Sequence, residues 1–210
     1  TQGYWMNRAL AAGDYEIAAM RLDALLRQQP ALHRQRALLD PMERNPAGRT
    51  ALVERMALNP IWLTSYVGDV HDLPVDVMLQ RAPVLEEAAA KGLVLGCPLI
   101  AATANRLALL GQAREGSSLW RAHCPAAGQG LVSDGDFAMA GLGEKPVAFA
   151  WDLLGSEDLT LGFIRSGDGP GQRLTVQGRP RQVRPVLHQL LALTRSEERR
   201  VGKECMPVCR

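Results

Sequence analysis

The sequence predicts an α+β multidomain protein, with a helical N-terminal part and a strand-built C-terminal part. Three observations carry this. Up to about residue 126, apolar residues recur at spacings of three and four, as on one face of a helix. Beyond Trp151 they alternate with polar neighbours between Gly and Pro breaks, as strands do. Between these regions, residues 131–154 change character: Gly141, Gly143 and Pro146 make a connection too flexible and too poor in donors to continue a helix.

At 210 residues the chain suits one or two domains and can bury a real core. No apolar run approaches the roughly 18 residues that a membrane-spanning helix needs. The chain starts at Thr1, not Met, and shows no basic-then-apolar signal segment at its front. Its most specific string is RSEERRVGKEC, opening at Arg195 and closing at Cys205, which resembles the translation of a common sequencing-adapter oligonucleotide. Residues 195–210 are therefore read as a non-native tail and set aside from fold reasoning. That tail carries five basic and three acidic residues, an excess of two that accounts for the whole net charge of +2. Without it the chain is neutral, and the basic balance that would have pointed to nucleic acid is gone. Cys205 and Cys209 leave with the tail. Cys97 and Cys124 remain, too few and too far apart to argue a disulfide framework or a zinc site. Each is expected as a small buried side chain.

In chain order, residues 4–30 predict two helices with a turn at Gly13-Asp14. Tyr15, Ala18, Ala19, Leu22, Leu25 and Leu26 form the inner face of the second helix, and Pro30 stops it. Residues 31–60 repeat the theme with Leu38, Leu39, Met42, Ala51, Leu52, Met56 and Leu58, ending at Asn59-Pro60. Residues 61–94 are apolar and helical in pattern, with breaks expected at 72–74 and at Pro83. There Trp62, Tyr66 and Val67 are expected to pack between neighbouring helix pairs. A further pair follows: a helix over 99–110, a turn at Gly111-Gln112, and a helix over 113–123 before Pro125.

The recurrence is about thirty residues. The string GDYEIAAMRLDALLRQQP resembles the second helix of a tetratricopeptide repeat, with Gly13, Asp14, Tyr15, Ala18 and Pro30 at the pattern's positions. Gly111 and Gly116 keep the spacing of Gly13 and Ala18. Met6 departs from the pattern, which favours a small residue there. The resemblance implies a helical-repeat solenoid over 1–126 with a face for a protein or peptide partner.

In the C-terminal part, Leu159, Leu161 and Phe163 alternate, as do Leu174 and Val176, and the 166–171 segment between them is a turn. A hairpin follows. Residues 183–193 suit a helix by the spacing of Leu187, Leu190 and Leu191, whereas Pro185 favours a strand, which is the reading adopted. Asp134-Gly135-Asp136-Phe137, a Gly-rich gap and then Phe149-Ala150-Trp151-Asp152-Leu153 is similar to the opening of galactose-binding-like β-sandwich modules, among them many carbohydrate-binding modules. Asp134, Ala138 and Ala150 stand where the family has Asn, Glu and Gly. The resemblance implies an antiparallel β-sandwich over 127–194. Ending near Thr194, it would hold about four or five strands, short of the eight of a jelly roll. Such a part is expected to be poorly soluble and protease-labile beyond about Gly128.

Gly68-Asp69-Val70-His71-Asp72 follows an apolar run and resembles one metal-binding motif of the metallophosphoesterases. Asp69 and His71 at alternate positions after a strand could hold a divalent ion and activate water. The family needs further Asn, Asp and His ligands, and only His33, His123 and His188 remain, none in a second matching motif. The preferred reading is a helix end or turn, with Asp69 or Asp72 capping the next segment. Ser133-Asp134-Gly135-Asp136 offers oxygens to calcium but reads better as a turn. Phe149 and Trp151 could stack a sugar, although a core role is preferred. His123 and Cys124 are adjacent and so point apart on a helix, and residues 167–171 lack the Lys-Ser/Thr of a phosphate loop. The expectation is therefore a non-catalytic scaffold without cofactor, metal or catalytic residues. By analogy alone, the two resemblances imply an assembly role around polysaccharide in a bacterial envelope. The alternative is a metal-dependent phosphoesterase at Asp69 and His71.

Overall fold

Apolar spacing and punctuation agree best in the first helix pair. In the computed structural model α1 spans Gln2–Ala11 and α2 spans Tyr15–Gln28. Between them Gly13 takes a φ of +73°, which L side chains rarely adopt. Asp14 then caps α2, its carboxylate accepting from the Ile17 amide at 3.0 Å. Ala18, Ala19, Leu22 and Leu26 are buried, as their spacing predicts. Met6 is wholly buried too, so α1 meets α2 over an adaptable thioether side chain where the tetratricopeptide pattern has a small one.

The structure describes residues 1–125, 128, 130, 132–135, 137, 149–154, 156–165, 167, 171–179, 182 and 185–193. The chain divides into two units, Thr1–Ala126 and Ala127–Arg210. In the first, the segment 31–60 resolves into a 3-10 turn (Pro30–Arg34), α3 (Arg36–Arg44) and α4 (Pro46–Met56). Asn45 ends α3 and caps α4, accepting from the Ala47 amide at 2.9 Å, with Pro46 at the first helical position. Gly48 lets α4 cross α3 closely, since a Cβ there would lie 2.5 Å from the Met42 carbonyl oxygen. Asn59, in the left-handed region, and Pro60 end the segment as expected.

α5 (Leu63–Gly68) and α6 (Val75–Ala90) follow, separated at the expected 72–74 break. The break expected at Pro83 does not occur: α6 runs through it. Proline removes one helical hydrogen bond. Buried Met78, Ala82, Val84, Leu85 and Ala88 hold the helix on its neighbours, and packing overrides propensity there. α7 (Cys97–Leu109) begins two residues before the expected start, and α8 (Ala113–His123) matches its expected bounds. Along the unit α2 packs on α4, α4 on α6 and α6 on α8, while α5 packs on the 3-10 turn and on α7. Trp62, Tyr66 and Val67 are fully buried in this bundle. The Trp62 indole donates to Asp23 at 2.7 Å, and its ring meets Tyr66 edge-on.

The expectation for the two cysteines is overturned. Cys97 and Cys124, 27 residues apart, form a disulfide. Separation along the chain hid this because α7 and α8 are an antiparallel pair, which brings the start of one beside the end of the other.

The second unit contains two small, open antiparallel sheets that make an incomplete sandwich. β2 (Leu159–Arg165) and β3 (Gln172–Gly178) form the expected hairpin, with Leu161 opposite Val176 and Phe163 opposite Leu174. β1 (Asp152–Leu153) pairs with β4 (Leu187–His188). The strand expected over 183–193 is thus only two residues among those described. Phe149 and Trp151 precede β1 and do not alternate on a strand. Residues 138–148 and 195–210 lie outside the described residues, as do 166 and 168–170 of the expected turn.

Candidate functional site

Asp69 and His71 sit where α5 ends, in a helix-to-turn segment with no strand before it. Asp69 is the C-cap residue of α5. Its Oδ1 accepts from the Arg34 guanidinium, which also donates to Asp72 at 3.0 Å. That hydrogen bond and the charge behind it hold the Asp69 carboxyl below its ordinary range. His71 is 77% exposed in its side chain and 3.5 Å from Asp69. The capping role expected of Asp69 or Asp72 is absent, since α6 starts at Val75 with Pro74 as its N-cap residue and no side-chain cap. Both carboxylates instead tie the 3-10 turn to the 69–72 segment through Arg34. Among the described residues, no group of three His, Cys, Asp or Glu could hold a metal ion.

Beneath this surface lies a polar cluster that no motif or spacing in the sequence marks. Arg81 of α6, Glu43 of α3, Tyr66 of α5 and His33 of the 3-10 turn are all essentially buried. The Tyr66 hydroxyl donates to Glu43 at 2.7 Å, and Arg81 donates to the Tyr66 and His33 carbonyls at 2.7 and 3.0 Å. The guanidinium also lies 4.0 Å from the Tyr66 ring centroid and 3.5 Å from the Glu43 carboxylate. Burial pushes the Glu43 carboxyl up, against the pull of Arg81 and of the Tyr66 hydroxyl. Tyr66 is pushed up by the same burial. The cluster is enclosed by four elements, and it serves to fix their mutual positions. Its one sequence signal was an Arg amid the apolar face of α6.

His123 performs a similar task at the end of α8. Its Nε2 donates to the Leu85 carbonyl at 2.9 Å while Nδ1 accepts from the Leu95 amide at 3.3 Å, which defines a neutral ring. Burial holds its pKa below the ordinary value.

One accessible concavity lies between the α1–α2 turn and α4. It encloses about 540 Å³ and is lined by Asp14, Tyr15 and Glu16 on one side and Ala47, Thr50 and Glu54 on the other. Asp14, Glu16 and Glu54 bring three carboxylates to it, and among the described residues no cation lines it. On the same first helix pair, Tyr4, Trp5, Ile17 and Met20 are exposed.

In the second unit Phe149 is buried and Trp151 half-buried. The Trp151 indole donates to the Asp134 carbonyl at 2.8 Å, and its ring contacts Phe137, which contacts Phe163. Trp151, considered for sugar stacking, therefore packs in a local aromatic cluster, and Phe149 is buried. Ser133-Asp134-Gly135 is a turn, as preferred, and Asp136 lies outside the described residues. No family model, no curated protein and no solved structure matches this chain.

Proposed function

We propose that the chain is a non-catalytic scaffold whose helical unit binds a protein or peptide partner in the groove between the α1–α2 turn and α4. The observation that carries this is the groove itself, with Asp14, Glu16 and Glu54 around an open cavity and exposed aromatic and aliphatic side chains on the same helix pair. Its charge favours a segment bearing Lys or Arg. Asp69 and Asp72 of the segment that resembled a metal motif are engaged in ion pairs with Arg34, which supports a structural role for these two carboxylates.

The tetratricopeptide reading belongs to the same proposal. Two helix pairs turn at a positive-φ glycine, Gly13 and Gly111, and each buries a small residue five positions later, Ala18 and Gly116. Stacked helix pairs create extended concave surfaces suited to a partner. A carbohydrate role for the second unit rests on the sequence resemblance alone.

The test is selection of a random peptide-display library on the folded chain. The proposal expects enrichment of Lys- and Arg-bearing peptides that is lost in the Glu16→Gln/Glu54→Gln double variant. Absence of enrichment, or enrichment indifferent to that variant, would refute it.

A further inference from the structure

We infer that Cys97–Cys124 is a structural clamp on the last helix pair, and that the helical unit reaches full stability only in an oxidising compartment. Cys97 is the first residue of α7 and Cys124 the C-cap residue of α8. The bond therefore closes α7–α8 at the end opposite its turn, where the pair would otherwise open. Three further links converge there. The Gly96 amide donates to the His123 carbonyl at 3.1 Å, the Leu95 amide to the His123 ring, and the ring to Leu85 of α6. The disulfide thus sits on a seam that joins α8 to α7 and to α6, and α8 is the last helix of the unit.

The two sulfurs differ in setting. Cys97 is half-buried and opens a helix, where the positive end of the backbone dipole favours a thiolate. Cys124 is fully buried and closes a helix, where that dipole disfavours one. A dithiol reductant approaching the folded chain reaches Cys97 first. Its thiolate would form a mixed disulfide with the Cys97 sulfur, and the bonding pair would leave on Cys124 as a buried thiolate beside the carbonyl end of α8. The reductant's second thiol would then expel Cys97, completing a two-electron reduction. The first step puts charge at the less favourable site, so the bond resists exchange while α8 is in place. Such resistance fits a permanent clamp and not a switch. Bonds of this kind form and persist outside the reducing cytosol.

Three measurements on the full chain test the inference. Peptide mapping without reduction should recover Cys97 linked to Cys124 in chain made in an oxidising compartment. Reduction by dithiothreitol should lower the melting temperature by about 10 °C, and should speed amide exchange of 117–123 at least tenfold. The Cys97→Ser/Cys124→Ser variant should show the same losses without reductant and no further change with it, which separates the clamp from any other thiol. Free thiols at both positions after oxidative production, Cys97 bridged to another cysteine, or an unchanged melting temperature in the reduced chain and the double variant would each overturn it.

Discussion

Arg81 is the residue that joins Glu43, Tyr66 and His33 inside the helical unit. Truncating one member of a buried ion pair leaves the other charge uncompensated, whereas replacing both by apolar groups of similar size often costs little. Arg81→Ala should therefore destabilise the unit by about 3–5 kcal/mol, and Glu43→Leu/Arg81→Met should recover most of that loss. Urea denaturation of the two variants checks it, and equal losses in both would contradict the account. Asp14 carries a smaller share: Asp14→Ala removes the cap of α2 and should cost about 1 kcal/mol in the same assay. His123 makes the stability depend on pH. Its folded pKa is lowered from 6.5, so the unfolded chain binds a proton before the folded one does. The contribution is present above the unfolded value and is lost as pH falls through the lowered folded value. Melting temperatures from pH 8 to pH 5 should fall more steeply for the wild type than for His123→Gln, and parallel curves would count against it.

At the scale of elements, the legible parts are those where apolar period and punctuation coincide. α2 has both Gly13-Asp14 and Pro30 around a regular inner face, and α8 follows Gly111-Gln112 in the same way. The β2–β3 hairpin was visible as alternation on either side of a turn. The rest was hidden for separate reasons. α6 contains Pro83, whose local cost is outweighed by buried neighbours that no local window contains. The α3–α4 boundary did have a signal, an Asn followed by Pro, which is a cap followed by the first helical position. Gly48 at that junction carries a close crossing, so Gly48→Ala should destabilise the unit by roughly 1–3 kcal/mol, although alanine is the better helix former. A stabilised Gly48→Ala would show that the crossing relaxes freely. The Arg81 cluster and the Cys97–Cys124 bond were illegible because their partners are 15 or more positions apart and come together only in the fold.

For the whole molecule, the switch from helices to strands visible in the sequence corresponds to a division of stability. The first unit buries a core running from Met6 to Cys124, whereas the apolar residues buried in the second, among those described, are Phe149 and Leu159. Its two sheets are short and open, and a two-stranded hairpin is marginal by itself. The helical unit thus holds most of the buried apolar side chains among the described residues. Native-state amide hydrogen exchange over the full chain measures this division most directly. The slowest amides should lie in α2, α4, α6 and α8, and those of β2 and β3 should exchange at least a hundredfold faster. Equal protection in the hairpin and the helices, or fast exchange throughout 1–125, would contradict the account.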